Sequence, residues 1–166
     1  MVKVDIKTDE GVVLPQYESE GAAGFDLRAK SFLKLFKGTE EVSLNKKLQK
    51  SIEEGYINLR GFERVLIGTG IYISLPNGYE LQVRDRSGNA LKKGLLVANS
   101  PGTIDADYRG EIGVILINNT PFLNRINLGD KIAQGVLKKD LKALWNPVRE
   151  LDNTKRGEDG FGSTGQ

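Results

Sequence analysis

The chain is predicted to be mainly β, in the manner of a sandwich, a jelly roll or a barrel. Short apolar runs follow one another through its middle and C-terminal half, each bounded by Gly, Pro, Asn or Asp. Helical periodicity stands out in one segment only. Many short strands without alternating helices are typical of these architectures. The 166 residues suit one domain with its own core.

The strand pattern is clearest in the stretch IYISLPNGYELQV. Apolar and polar residues alternate there with a period of two on both sides of Pro76-Asn77-Gly78, a turn signal. This pattern predicts a hairpin. The runs GLLVAN, EIGVILIN and KIAQGVL are predicted to be further strands.

One segment, from about residue 34 to 60, departs from the β pattern. Leu44, Leu48 and Ile52 recur there at intervals of four, which predicts a short amphipathic helix. We expect Ser43 to cap its start and Gly55 to mark its end. A solvated surface insertion is the favoured interpretation, and an element that binds a regulatory protein is the alternative.

Composition excludes several classes of function. The formal net charge of +2 gives no electrostatic case for binding nucleic acid or a membrane. No apolar run approaches the roughly 20 residues that span a bilayer. The first residues, MVKVDIKTDE, carry charges where a signal peptide needs an apolar stretch. We therefore expect a cytoplasmic location.

The absence of cysteine and histidine narrows the chemistry further. It removes disulfides, thiol nucleophiles, Cys/His zinc sites and histidine-based triads. A hydrolase of this composition would use a carboxylate, a tyrosine or a lysine as its base, with or without a hard metal held by oxygen.

Three stretches offer polar groups next to predicted strands. AAGFDLRA contains Asp26, in a turn that enters a strand. RDRSGNA contains Arg86, Ser87 and Gly88, a set suited to phosphate oxygens, although the pattern alone favours an exposed polar turn. NLGDKIAQGVL places Gln134 inside an apolar strand, where exposure at a sheet edge is commoner than a functional role.

Two further stretches are denser in candidate groups. In ANSPGTIDADYRGEIGV, an extended backbone would turn Asp105 and Asp107 to one side and Ile104 and Ala106 to the other. Asp105 is equally well interpreted as a general base or as a solvated loop acid. RGEDGFGSTGQ, at the C-terminus, could cradle phosphates through its backbone N–H groups or be an ordinary frayed tail.

Taken in order, these stretches resemble the five motifs of the trimeric dUTP pyrophosphatases (dUTPases). The matching segments are AGFDL, RSG, GTIDADYRGEIGV, GDKIAQ and RGEDGFGSTG, from Ala23 to Gly165. The resemblance implies a jelly-roll-like β fold and a homotrimer whose three active sites each draw on all three chains. Residues 1–155 would form the β domain, and 156–166 a flexible arm that closes over an active site.

The resemblance also implies an activity. The family hydrolyses dUTP to dUMP and pyrophosphate, which keeps uracil out of DNA and supplies dUMP for thymidylate synthesis. Asp105 aligns with the general base that activates a water for attack on the α-phosphate. Mg²⁺ would be the cofactor, and Asp26 resembles the acid that reaches this ion through water.

The same resemblance implies a role for each substrate-binding residue. Phosphates and the attacking water would meet Arg86, Ser87, Gly88 and Gln134. Asn99 and the backbone of Gly102, Thr103 and Ile104 would read uracil, while Tyr108 would pack under the deoxyribose and exclude a 2′-hydroxyl. In the arm, Arg156 would hold the γ-phosphate, Phe161 would stack on uracil, and Gly162, Ser163 and Thr164 would wrap the phosphates.

Three residues depart from the usual motifs. Asp85 replaces a proline before RSG, Asp159 replaces a glycine in the tail, and Gly135 replaces a larger apolar residue after Gln134. Two rival functions share parts of the pattern. A dCTP deaminase is disfavoured by the GTIDADYRG loop and the complete GFGSTG tail. A non-catalytic module that binds a regulatory protein is disfavoured by the retention of every motif.

Overall fold

The computed structural model of the protein describes residues 1–43 and 45–159. Strands dominate these residues, and the two helices found among them are short, which confirms the all-β class. The helices are α1 (Lys46–Glu53) and α2 (Ser87–Lys93). The strands are β1 (Asp5–Thr8), β2 (Phe25–Arg28), β3 (Ser31–Lys37), β4 (Glu40–Glu41), β5 (Tyr56–Leu59), β6 (Arg64–Gly68), β7 (Ile71–Ser74), β8 (Tyr79–Arg84), β9 (Leu95–Val97), β10 (Gly102–Ile104), β11 (Gly113–Asn118), β12 (Asn124–Asn127) and β13 (Lys131–Lys139).

The strands of the described residues form four antiparallel groups. The largest has five strands in the order β4-β3-β6-β11-β9. A four-stranded sheet has the order β10-β8-β13-β2 and carries most of the candidate site residues. The pairs β1-β7 and β12-β5 complete the framework.

The core is built from the inward faces of these strands. Val65 and Ile67 of β6, and Val114 and Leu116 of β11, are completely buried, whereas the residues between them are more exposed. Successive side chains of a strand point to opposite faces, so apolar residues at every second position form one buried face. Side chains from several sheets join this cluster, which makes a single core.

The predicted hairpin around residues 76–78 does not form, although both of its strands do. β7 pairs with β1, whereas β8 pairs with β10 and β13. The turn, with Gly78 at a φ of +84°, carries the chain from one sheet into another. Alternation shows which side chains are buried but does not identify the neighbouring strand, and this explains the error.

The helix predicted between residues 43 and 55 is confirmed as α1, with a different start. Asn45 is its N-cap, because the Asn45 side chain accepts a hydrogen bond of 3.0 Å from the Leu48 N–H, so the prediction of Ser43 as the cap was wrong. Gly55 follows the last turn at a φ of +83°, as expected of a residue that ends a helix. Leu48 packs against the core, and Leu44 lies outside the described residues.

Residues 34–60 are surface structure only in their middle. Leu35 of β3 is buried at one end, and Ile57 and Leu59 of β5 are buried at the other. β5 is also held by its pairing with β12. The interpretation of the whole segment as a solvated insertion was therefore wrong at both ends. Within the described part of this segment, the β3–β4 turn and the outer face of α1 are solvated, as that interpretation expects.

The stretch RSGNALKK forms α2, where the pattern had favoured a simple polar turn. Arg86 is its extended N-cap residue, and Gly94 ends it in the left-handed region at a φ of +60°. Asn89 anchors α2 by donating a 3.0 Å hydrogen bond from its side chain to the Lys131 carbonyl. No helix within residues 1–43 and 45–159 is long and apolar enough to cross a membrane.

Gly135 is explained by its neighbour on the next strand. Its cross-strand partner is Phe25 of β2, and a Cβ at position 135 would lie 2.7 Å from two ring carbons of Phe25. The aromatic ring therefore fills the volume that a larger residue after Gln134 would occupy. Phe25 is itself braced by an edge-on contact with Tyr17, with ring centroids 5.7 Å apart.

Gly135→Ala is expected to lower the free energy of unfolding by about 1–3 kcal/mol, because the new methyl group overlaps the Phe25 ring. Urea unfolding of wild type and variant measures the effect. Phe25→Leu in the same chain should recover part of the loss, since it removes the atoms that the methyl group meets. Equal stability of wild type and Gly135→Ala would contradict this account of the packing.

Candidate active site

Asp26 lies at the centre of an ion-pair network on the four-stranded sheet. Its Oδ1 accepts a 2.7 Å hydrogen bond from Nε of Arg86, and its Oδ2 lies 2.6 Å from Nζ of Lys131. Lys131 also contacts Glu18, with 2.7 Å between Nζ and Oε1. The sheet brings these side chains together because β13 lies between β2 and β8.

Asp26 and Lys131 are both held in their ionised forms by this network. Burial raises the pKa of the Asp26 carboxyl, but the hydrogen bonds and charges of Lys131 and Arg86 outweigh that effect, and the net pKa is lowered. The pKa of Lys131 is raised, first by its hydrogen bond to Asp26 and then by that to Glu18. Two cations thus share one carboxylate that is only 18% exposed.

Only part of the Arg86 guanidinium is used by the hydrogen bonds of the described residues. Its Nε is bound to Asp26, and no hydrogen bond to either terminal nitrogen is found among residues 1–43 and 45–159. Ser87 and Gly88 follow as the first two exposed residues of α2, where backbone N–H groups have no acceptor within the helix. The space around Gly88 is open, since a Cβ there would meet no atom within 4 Å.

Gln134 is half-buried in β13 rather than exposed at a sheet edge. Its Nε2 donates a 2.7 Å hydrogen bond to the Asp85 carbonyl, and its Oε1 lies 3.2 Å from where a Cβ of Gly24 would be. The Asp85 carboxylate accepts a hydrogen bond from the Val97 N–H of β9. The Asp85 carboxylate, at the position where the family usually has proline, is therefore hydrogen-bonded to the last residue of β9.

A second group of candidate residues surrounds β10. The Asn99 amide packs against Gly102, and Asp105 follows directly after Ile104, exposed to solvent. The Asp105 carbonyl accepts a 3.2 Å hydrogen bond from the Tyr108 N–H. The backbone therefore turns after Asp105 and is not extended through Asp107.

The expected division of side chains nevertheless holds. Asp105 and Asp107 are exposed, whereas Ile104 and Ala106 pack on the core. Asp105, Asp107 and Thr103 line an open cleft of about 670 Å³. Within the described residues, no group of three acidic side chains is placed to hold a metal ion by itself.

The two groups lie at opposite ends of β8. Ile104 is opposite Leu81, so Asp105 lies beside the beginning of that strand, whereas Arg86 follows its end. Arg86 lies six positions after Glu80, and a strand rises about 3.3 Å per residue, which amounts to about 20 Å. One chain therefore does not bring Asp105 to Arg86.

The C-terminal stretch is described only as far as Asp159. Arg156 donates a 2.9 Å hydrogen bond from Nε to the Asp159 carbonyl, and the Asp159 N–H donates back to the Arg156 carbonyl. These contacts use the backbone of Asp159 rather than its carboxylate. The predicted positions Phe161, Gly162, Ser163 and Thr164 lie outside the described residues.

Comparison with known proteins identifies the family. The model of the dUTPase family matches residues 50–165. A deoxyuridine 5′-triphosphate nucleotidohydrolase of Fusobacterium nucleatum is 43% identical to the chain, and the alignment covers 100% of both proteins. The chain belongs to the dUTPase family.

Solved structures support the fold of this dUTPase. A Staphylococcus bacteriophage 80alpha dUTPase with dUPNHPP has a TM-score of 0.74 and 23% identity, and the match covers 99% of each chain. A mutant dUTPase of phage phi11 of S. aureus, described with a structural Mg(II) ion, has a TM-score of 0.67 and 21% identity. That match covers 89% of this chain and 97% of the phage protein.

Lys131 is the charged residue of this dUTPase site that sequence reasoning missed. It precedes the apolar run of β13, and the pairing of β13 with β2 shifts register between Lys131 and Ala133. Simple alternation is broken at that shift, so periodicity could not show that Lys131 lies beside Asp26. The charge pattern did not indicate this network either, because Glu18, the other partner of Lys131, lies 113 residues from it in the sequence.

Asp26→Asn is expected to lower the free energy of unfolding at pH 7 by about 1–3 kcal/mol, because two cations then lack their shared carboxylate. The pKa of Asp26 in the folded protein lies below its ordinary value of 3.8. Its contribution is therefore present above that pH and disappears as the pH falls through the lowered pKa. Urea unfolding at several pH values should show the difference from wild type shrinking below about pH 4.

Asp5→Asn is the matched control for this variant. Asp5 forms a 3.9 Å ion pair with Lys3 and is 78% exposed, so the same substitution should change stability by no more than about 0.5 kcal/mol. Equal effects of the two variants, or a loss in Asp26→Asn that persists unchanged at low pH, would contradict the role of the network.

Proposed function

We propose that this dUTPase hydrolyses dUTP to dUMP and pyrophosphate, with Asp105 activating the attacking water. The observation that carries the proposal is the division of the motif residues into two complementary groups. Asp26, Arg86 and Gln134 form a hydrogen-bonding group in which the Arg86 guanidinium is suited to phosphates. Asp105 forms part of an exposed group around β10, together with Asn99.

Asp105 is suited to the role of general base. It is exposed at the end of β10, where a water can reach its carboxylate, and the chain has no histidine to compete for the role. The carboxylate takes a proton from the water as its oxygen attacks the α-phosphate. The bond from the α-phosphorus to the bridging oxygen breaks, and pyrophosphate leaves.

The residues around Asp26 bind the phosphates of the substrate and place a positive charge beside them. The terminal nitrogens of Arg86 bind phosphate oxygens, while Nε stays on Asp26 and orients the guanidinium. The first N–H groups of α2, at Ser87 and Gly88, offer further donors. Gln134, held by the Asp85 carbonyl, faces the phosphates and the attacking water. These contacts stabilise charge that is redistributed during the transfer.

The β10 group reads the nucleoside. Asn99 offers both a donor and an acceptor to the edge of uracil, and the backbone from Gly102 to Ile104 completes that pocket. The ring of Tyr108 packs under the deoxyribose. In the arm, Arg156 holds the γ-phosphate and Phe161 covers the base. Hydrolysis at such a site removes dUTP from the DNA precursors and yields dUMP for thymidylate synthesis.

The residues present are compatible with Mg²⁺ as the cofactor. Mg²⁺ is usually held by one or two carboxylates together with water and substrate phosphates, so Asp26 acting through water meets the requirement without a larger acidic cluster. When bound, the ion would neutralise charge on the triphosphate. The chain's own task there is to present the Asp26 carboxylate in its ionised form.

The geometry of β8 supports a site shared between chains, and the family resemblance implies that the assembly is a homotrimer. Because about 20 Å separates the two groups within one chain, a complete site requires Asp105 of one copy and Arg86 of another. The arm, from residue 156 onwards, would come from the third chain, as the family resemblance implies. A symmetrical trimer then contains three such sites.

Asp105→Asn is expected to lower kcat for dUTP by at least about 10²–10⁴-fold, because the amide cannot accept the proton. Pyrophosphate release from dUTP with Mg²⁺ measures the loss. Asp107→Asn, in the same exposed turn, is the control and should stay within a few-fold of wild type. Turnover by Asp105→Asn close to that of wild type would rule out its role as the base.

Mixed assemblies test the sharing of residues between chains. Asp105→Asn and Arg86→Ala chains, each inactive alone, are co-expressed with different tags, and the assemblies that carry both tags are purified. If the two residues act from different chains, about one site in three of the purified mixed trimers regains both groups, and activity returns. Assemblies as inactive as the single variants would show that each site is built from one chain.

A further inference from the structure

The ring of Tyr108 is held in one position by its own loop. Its hydroxyl donates a 3.0 Å hydrogen bond to the Glu111 carbonyl, three residues further along the chain. The ring lies directly against Gly110, where an added Cβ would come within 2.5 Å of Cζ. Gly110 has no left-handed backbone conformation, so its lack of a side chain serves to make room for the ring.

Glu111 is in turn clamped to the framework. Its Oε1 accepts a 2.6 Å hydrogen bond from the Gly70 N–H, and a Cβ at Gly68 would collide with the same carboxylate. The next residue, Ile112, is fully buried, and its N–H donates a 2.8 Å hydrogen bond to the Ile71 carbonyl. The carbonyl that receives the Tyr108 hydroxyl is therefore anchored to β6 and β7.

The outer face of Tyr108 remains available to a ligand. The residue is 43% exposed, although one side of its ring is occupied by Gly110 and its hydroxyl by Glu111. An exposed aromatic ring that is contacted beside its Cζ by Gly110 and hydrogen-bonded at its hydroxyl is a rigid platform. It cannot tilt to accommodate an extra group on whatever packs against it.

We propose that Gly110 and Glu111 are specificity-positioning residues, which fix the Tyr108 ring at the height that admits a deoxyribose and leaves no room for a 2′-hydroxyl. This inference rests on the proposed function, in which Tyr108 packs under the sugar. Apolar surfaces reject an added hydroxyl only weakly, by roughly 10²-fold. A displacement of about 1 Å in the ring is enough to remove such discrimination.

The test is the ratio of kcat/KM for dUTP to that for UTP in Gly110→Ala. The new methyl group must push the Tyr108 ring outwards or aside, so we expect the ratio to fall at least about tenfold. Most of the change should appear as weaker use of dUTP with equal or better use of UTP. Tyr108→Phe, which loses only the hydrogen bond to Glu111, should show a smaller fall in the same direction.

Gly21→Ala is the matched control. Gly21 lies in an exposed turn, and a Cβ there would meet no atom within 4 Å, so both the melting temperature and the nucleotide ratio should match wild type. If Gly110→Ala does not fold, Glu111→Gln takes its place, because it keeps the shape of the side chain while weakening the acceptor of the Gly70 N–H.

The outcomes separate this inference from the function on which it rests. A wild-type protein that does not cleave dUTP would overturn the proposed function. A wild type that prefers dUTP over UTP, together with Gly110→Ala or Glu111→Gln variants that fold and keep the full preference, would overturn only the positioning role. A lowered ratio with an unchanged melting temperature supports the role, since general destabilisation would affect both nucleotides alike.

Discussion

The central place of β13 in the four-stranded sheet is the constraint on which the phosphate half of the site depends. Because β13 pairs with β2 on one side and β8 on the other, Gln134 lies between Asp26 and the end of β8. The same pairing brings Lys131 to Asp26. A shift of one residue in either register would turn these side chains to the opposite face of the sheet.

Two residues that depart from the family motifs, Gly135 and Asp85, are accommodated by contacts with neighbouring segments. Gly135 leaves room for the ring of Phe25, which fills that part of the core from the adjacent strand. The Asp85 carboxylate binds the Val97 N–H, and its backbone carbonyl receives Gln134. In both cases packing or hydrogen bonding with a distant segment replaces what the usual residue would provide. The role of the Asp159 side chain is not explained by any contact of the described residues.

The separation of Asp105 from Arg86 has a consequence for how this dUTPase works. Each half of the site is organised within one chain: Asp26 holds Arg86, while Gly110 and Glu111 hold Tyr108. In the proposed shared site, assembly would bring two such preorganised surfaces together. Holding these side chains in place within each chain lowers the ordering cost that their positioning would otherwise add to substrate binding.

The sequence by itself narrowed the possible chemistry and predicted much of the burial pattern. Without histidine or cysteine a base would have to be another side chain, and alternation predicted the buried faces of β7 and β8. It also separated the exposed Asp105 from the packed Ile104. Tertiary structure alone decided which strands are neighbours. It therefore decided that β7 and β8 belong to different sheets, that Lys131 contacts Asp26, and that Asp105 lies far from Arg86. The reason is physical: periodicity reports only which face of a strand is apolar, whereas pairing depends on contacts between segments far apart in the chain.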